Sequence, residues 1–336
     1  MNKKTHVLFI FLLISMMALS ACTPASAPEP TEAPATEVPP TEILATPTTY
    51  FTPTPVPDPL TVTDDLGTDL SLEGPAQRIV SLSPSMTEIL FAIGAGDRLV
   101  GRDSNSLYPE EAQQVKDLGG MWEGLPTEDI LALEPDLILA AEIISQDQVG
   151  QLAELGLNVF WQANPDDFAG LYENILQIAV LTGNEDEAEV LVSSLEERIA
   201  ALQETLAAVE EQPLVFYELD ATDPTNPWTT GAGTFISYII EEAKGKNLGD
   251  ALEGDWAQIS SEEVVAQNPD YILLADAMYG TTPESVAERA GWEEITAVQE
   301  GNIHPFDPSI LSVPGPRLVD GYQQVAEIIH PELFAE

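Results

Sequence analysis

Thr127-Glu128-Asp129-Ile130-Leu131-Ala132-Leu133-Glu134-Pro135-Asp136-Leu137-Ile138-Leu139 reads as a short helix, a Pro-Asp corner and an apolar strand. The pattern returns in step 134 positions later, Glu262 answering Glu128, as Ser261-Glu262-Glu263-Val264-Val265-Ala266-Gln267-Asn268-Pro269-Asp270-Tyr271-Ile272-Leu273. That distance is far too long for a solenoid repeat. It predicts two α/β lobes of one design, with function between them.

Working outward, the strands predicted before and after each copy alternate with helices, which implies mainly parallel sheets covered on both faces. Residues 60–72 alternate about Asp64-Asp65-Leu66-Gly67 and predict a hairpin. Residues 78–82 form a buried-type strand. They run into a helix over 87–93, for which Ser85 and Glu88 stand at capping-box spacing. Strands follow at 99–101 and 157–161, with a helix over 146–155 between them. The first lobe is placed at 60–165.

Helices are predicted over 166–181 and 185–210. In the second, Leu191, Leu195, Ile199, Leu202 and Leu206 make one apolar face. About 25 residues span ~38 Å at 1.5 Å each, so this helix serves either as a strut between lobes or as cover for one of them. The second lobe is placed at 212–336, after a helical linker over 166–211. It holds strands at 213–219 and 302–306, a helix over 234–242, and a final helix that starts at Pro314-Gly315-Pro316-Arg317 and ends near Ile329.

Ahead of the lobes, Lys3 and Lys4 precede an apolar run of signal-peptide length that ends in Leu19-Ser20-Ala21-Cys22. Residues 1–22 read as an export signal resembling the lipobox of bacterial lipoproteins, in which Cys22 becomes the lipidated first residue. Residues 23–59 hold 11 of the 27 prolines and read as an extended tether. Two acyl chains at Cys22 suffice for stable membrane anchoring. The expected location is extracytoplasmic, on the bacterial cell membrane, with the lipid as the only membrane contact.

Composition excludes several functions. Eleven basic residues face 57 acidic ones, against nucleic-acid binding, which needs clustered Lys and Arg. His304 and His330 are the only histidines beyond residue 22 and lack ligand spacing, so no metal site is expected. No Gly-x-Ser-x-Gly elbow, catalytic thiol or phosphate loop is present, and Gly231-Ala232-Gly233 reads as a turn. The expectation is a binding protein rather than an enzyme. A surface enzyme or an adhesion lipoprotein on the same tether is the alternative from another class.

Trp122 and Trp256 each lie six residues ahead of the repeated glutamate, and Trp228 sits between Pro227 and Thr229. Ligands in open α/β sheets bind beyond the carboxyl ends of strands, and indole faces there would wall one cleft.

These residues carry a resemblance. The stretches at 78–88 (Arg-Ile-Val-Ser-Leu-Ser-Pro-Ser-Met-Thr-Glu), Tyr108-Pro109, Trp122-Glu123-Gly124, both repeat copies, Pro227-Trp228-Thr229-Thr230-Gly231 and Pro314-Gly315-Pro316-Arg317 resemble the Fe/B12-type periplasmic binding proteins of ABC importers over residues 60–334. The resemblance implies two α/β lobes joined by one long helix, with the ligand in the cleft between them. It implies partners as well, a two-fold ABC permease with its cytoplasmic ATPase, engaged by Glu128 and Glu262. A helix dipole alone would also favour acids at those two positions. The candidate ligand-binding residues under the resemblance are Ser83, Pro84, Asn105, Trp122, Tyr217, Trp228, Trp256 and Asp307. Asn105 and Ala141 stand where relatives have rings, and Val313 where many have Arg. The missing cation points to cobalamin or another corrinoid as the transported ligand, with a ferric siderophore or haem as the alternative. No cofactor is implied, and a monomer is expected.

Overall fold

The structure, a computed structural model, describes residues 59–121 and 124–335. The signal and Cys22, the tether up to residue 58, and Trp122 lie outside the described residues.

The described chain opens with the hairpin β1 (Leu60–Thr63) and β2 (Asp69–Leu72), paired antiparallel as expected. The first lobe continues through β3 (Ile79–Ser81), α1 (Pro84–Ala92), β4 (Leu99–Arg102), α2 (Thr127–Ala132), β5 (Leu137–Ala141), α3 (Gln146–Glu154) and β6 (Val159–Gln162), and α4 (Phe168–Thr182) follows it. Then comes the long α5 (Glu185–Leu206). The second lobe holds β7 (Leu214–Glu218), β8 (Trp228–Thr230), α6 (Phe235–Glu242), β9 (Lys246–Asn247), β10 (Trp256–Gln258), α7 (Ser261–Gln267) and β11 (Tyr271–Leu274). It closes with α8 (Pro283–Ala287), α9 (Thr296–Glu300), β12 (Ile303–Pro305), α10 (Ser309–Ser312), α11 (Leu318–Ile329) and α12 (Pro331–Phe334).

Each lobe is built on a four-stranded, wholly parallel sheet, ordered β4-β3-β5-β6 in the first and β9-β7-β11-β12 in the second. The two orders match strand for strand. The repeat explains why. Asp136 accepts the amide hydrogens of Gln77 and Arg78 at 2.8 and 2.9 Å, tying β5 to the start of β3. Asp270 accepts from Leu214 N at 2.7 Å and ties β11 to the start of β7. Just ahead of each Pro-Asp corner, Glu134 and Asn268 take positive φ (47° and 52°) to turn the chain from helix to strand. The Pro-Asp corners are scaffold.

Side chains alternate between the two faces of each sheet, as the pleat requires. Val80, Ile138, Ala140 and Trp161 pack outward with Ile130 and Leu152, while Phe216, Ile272 and Leu274 do so with Val264 and Trp292. The opposite faces, through Ile79, Leu139, Phe160, Tyr217 and Leu273, enter one cluster shared by both lobes. Helices α4, α5, α6 and α11 fill it. Phe168 of α4 meets Tyr238 and Tyr322 of the second lobe at ring distances of 5.4 and 5.5 Å.

Helix α5 leaves the first lobe and leads into β7 of the second. It buries Leu195, Ile199, Leu202 and Leu206, and Arg198 reaches Asp320 of α11 at 2.6 Å. Its 22 residues cover ~33 Å. The helix ends at Leu206 rather than near 210.

One local expectation is corrected. Helix α1 begins at Pro84, whose fixed φ suits a first helical position and whose missing N–H costs nothing there. Ser83 is therefore the N-cap residue, and neither Ser85 nor Glu88 caps the helix. Ser85 instead shares a 2.9 Å hydrogen bond with the Ser83 hydroxyl, and Glu88 turns to Arg317 of the second lobe.

Candidate ligand-binding cleft

Between the lobes lies a cavity of about 890 Å³, within the ~300–1,000 Å³ usual for small-molecule sites. The first lobe supplies the residues that follow its strands. Ser83, Pro84 and Ser85 come after β3, Ala141 to Ile143 at and after β5, and Ala163 to Asp166 after β6, with Asn105 from the loop beyond β4. The second lobe supplies Gly233 to Phe235 at the start of α6, Asp255 and Trp256, and Ser312 to Pro314.

Parallel packing places these loops together, and local bonds hold them. Under Ser83 the hydroxyl of Thr87 joins those of Ser81 and Ser106 at 2.9 Å, and Ser106 donates to the buried Asp103. Burial pushes the Asp103 carboxyl above its ordinary pKa. On the other wall, Gly231 donates its N–H to Asp255 O at 2.8 Å, and a Cβ there would lie 2.1 Å from Gly254 O. Only glycine permits that approach. Thr234 caps α6 by accepting from Ser237 N at 3.1 Å.

Electrostatically the cavity is one-sided. Glu142, Asp166 and Asp255 line it, and among its lining residues there is neither Lys nor Arg. The nearest cation in the chain's C-terminal motif, Arg317, is committed elsewhere. It binds Glu88 through Nε at 3.1 Å and Nη2 at 2.5 Å, lies 4.0 Å over the Tyr108 ring and reaches Ser309 at 3.2 Å. This clasp crosses from α1 to the N-cap of α11. Burial pushes Glu88 above its ordinary pKa despite the guanidinium that pulls it down.

Of the expected ligand-binding residues, Ser83, Pro84, Asn105 and Trp256 meet in this cavity, Trp256 with 46% of its surface exposed. Ala141 and Val313, read as replacements for a ring and an Arg, line it too. Three differ. Tyr217 points into the shared core, fully buried with its ring 6.2 Å from that of Phe306, because its place in β7 gives it the inward face. Asp307 is exposed and accepts from Ser309 N at 2.9 Å, which satisfies the turn into α10 rather than a ligand. Trp228 borders a second cavity of about 1300 Å³ on the second lobe, beside Asp276 and Tyr279.

Trp228 and Trp256 are not on free loops. Strands β8 and β10 pair antiparallel, Trp228 opposite Gln258 and Thr230 opposite Trp256, so both indoles belong to the same face of a small ribbon. Sequence reasoning missed Glu142, Asp166 and Asp255. Their only signal is that they follow predicted strands or precede a tryptophan, which is weak in so acidic a chain. Glu128 and Glu262 are exposed in the first turns of α2 and α7, at equivalent positions of the two lobes. His304 and His330 serve structure: His304 stacks on Tyr271, and His330 Nε2 meets Ala243 O at 3.1 Å. Among the described residues no group of His, Cys, Asp and Glu could hold a metal ion, and no helix is long and apolar enough to cross a membrane.

The sequence model for periplasmic binding proteins matches residues 79–309. The chain belongs to the periplasmic binding protein family. It is 34% identical over 283 residues to an uncharacterized ABC transporter substrate-binding lipoprotein of Bacillus subtilis, YvrC, covering 83% of this chain and 88% of that one. A cobalamin-binding protein of Halobacterium salinarum is 28% identical over 279 residues, 81% of this chain and 74% of its own. Among solved structures, the periplasmic haem-binding protein RhuT of Roseiflexus, in apo form, superposes with a TM-score of 0.69 at 26% identity, over 77% of this chain and 99% of that chain. The two-lobed, helix-joined architecture is that of the Fe/B12-type members. Periplasmic binding proteins are extracytoplasmic solute-binding components of ABC transport systems and work with a permease and an ATPase.

Proposed function

We propose that this protein captures a corrinoid in the inter-lobe cleft and delivers it to its permease without performing chemistry. One observation carries the reading: the cavity combines an exposed indole, Trp256, with three carboxylates and no lining cation. A ligand rich in carboxylates would meet repulsion there. A corrinoid of low net charge, with an apolar macrocycle and amide N–H donors, meets an aromatic wall and acceptors. The similarity to a protein named as cobalamin-binding supports the choice.

Glu128 and Glu262 are the residues proposed to engage the two permease subunits, being exposed and equivalently placed. Cys22 is proposed as the lipid anchor and 23–59 as the tether, with residues 60–165 and 212–336 as lobes about the linker 166–211 of a monomer. Haem or a ferric siderophore is the second reading, favoured by the likeness to a haem-binding structure.

Titration of the purified protein with cyanocobalamin, haemin and a ferric hydroxamate decides between them. Corrinoid binding at or below ~10 μM, about −7 kcal/mol, is expected. Tighter binding of haemin or the hydroxamate, with no corrinoid binding at that level, would overturn it.

A further inference from the structure

The second cavity, on the second lobe, has a place in the repeat. In the first sheet Ile79 pairs with Leu137, and in the second Val215 pairs with Tyr271. Counting on from the repeat, Glu142 beyond β5 corresponds to Asp276 beyond β11. Glu142 lines the inter-lobe cavity, and Asp276 lines the second. The two cavities are thus built on corresponding strand ends, and the ribbon of Trp228 and Trp256 borders both.

Asp276 has only 4% of its surface exposed. Its Oδ2 accepts from Ala221 N at 3.1 Å and from Thr281 Oγ1 at 2.8 Å, while its buried Oδ1 has no hydrogen-bond partner. Leaving a buried carboxylate oxygen unpaired is costly, and a ligand that donates to it removes the cost. Arg289, on the same cavity, has its charge matched by Glu218. Both its terminal nitrogens hold Glu218, at 2.5 and 2.8 Å, and its guanidinium lies 4.6 Å from the centre of the Trp292 ring. The charges left without a counter-ion on its lining are Asp220 and Asp276, beside two aromatic walls, Trp228 (40% exposed) and Tyr279 (82%). This is a compartment for an apolar edge that carries neutral N–H or O–H donors.

We propose that the second cavity is the far compartment of the corrinoid site, where Asp276 accepts a hydrogen bond from a peripheral amide of the ligand. With Glu142 on the opposite lobe it selects amidated corrinoids over those whose periphery is carboxylate. The inference rests on the corrinoid reading of the cleft.

Titrations of the full chain and its Asp276→Asn, Tyr279→Ala and Trp256→Ala variants with dicyanocobinamide, whose periphery is amidated, and with cobyrinic acid, whose periphery is carboxylate, test it. The native protein should prefer cobinamide at least tenfold. Asp276→Asn should weaken cobinamide roughly tenfold, the loss of one charge-assisted hydrogen bond, and narrow the preference. Tyr279→Ala should weaken both ligands several-fold without moving the unfolding temperature, and it decides the matter if Asp276→Asn does not fold. If both variants bind like the native protein while Trp256→Ala has lost affinity, the second cavity is no part of the site and this proposal alone falls. If the native protein binds neither compound, the corrinoid reading falls and takes the proposal with it.

Discussion

Removing Arg317 tests how the lobes are held at the cleft. The guanidinium forms a two-point pair with Glu88, whose side chain is 3% exposed against 16% for Arg317. Truncation to Ala strands a buried carboxylate, and breaking such a pair typically costs ~3–5 kcal/mol. For a fold of this size each kcal/mol moves Tm by about 2 °C, so a fall of roughly 5–10 °C is expected at pH 7.5. The loss should be pH-dependent. Burial raises the Glu88 pKa and Arg317 lowers it. A carboxyl with a raised folded pKa stabilises the fold below its unfolded pKa, and that contribution is lost as pH rises through the folded value. Without Arg317 the folded pKa rises further. The Arg317→Ala deficit should therefore shrink as pH falls, because protonation of Glu88 removes the stranded charge.

Glu88→Gln in the Arg317→Ala background should recover part of the loss at pH 7.5, since a neutral amide is cheaper to bury than an ion. Thermal unfolding followed by circular dichroism at pH 5 and 7.5 reads all four proteins of the cycle. If Arg317→Ala loses the same stability at both pH values and Glu88→Gln rescues nothing, the cost comes from packing on Tyr108 and not from the buried charge.

Trp256→Ala should weaken the ligand by ~2 kcal/mol or more, as for a central aromatic contact, in the same titration, with Tm little changed because the indole is half exposed. Glu128→Lys with Glu262→Lys should abolish uptake in cells while ligand affinity stays native. Stability should drop by no more than ~1 kcal/mol per site from the helix dipole, and normal uptake would leave the dipole as their sole role. Asp136→Ala removes acceptors from two backbone N–H groups and Asp270→Ala from one. At ~1.5–3 kcal/mol per bond to a charged acceptor, chemical denaturation should find the first variant less stable than the second.

The repeat made the architecture readable. It contains its own strand, helix and corner, and local pattern suffices for those, so the two parallel sheets follow from it, whereas the apolar face of α5 fits a strut or a cover equally and only the family resemblance points to a joining helix. The cleft was readable only where a residue type is rare. Trp256 stood out among five tryptophans, whereas Glu142, Asp166 and Asp255 were hidden among 57 acids. Tyr217 misled because strand ends alternate between faces, and one position of register decides whether a side chain meets ligand or core. The Glu88–Arg317 clasp joins residues 229 positions apart, beyond any local pattern. Glu88 even sat at capping-box spacing, and only the start of α1 at Pro84 releases it from that role.

The two lobes are alike at their strand starts and unlike at their strand ends, and both follow from the same sheets. Strand starts carry the repeated Asp, which must satisfy backbone N–H groups in each lobe alike. Strand ends carry no such duty, so the polar Ser83 after β3 corresponds to the apolar Leu219 after β7, and the acids Glu142 and Asp276 end beside different cavities. The shared core behind both sheets then limits how the lobes move. Phe168 of α4 packs on Tyr238 and Tyr322 of the second lobe at one place, and the Glu88–Arg317 pair ties the two lobes at another. Two such ties leave small hinge motions about α5 cheaper than wide opening. A corrinoid would then enter a cleft already close to its final shape, with binding free energy spent on contacts rather than on closure.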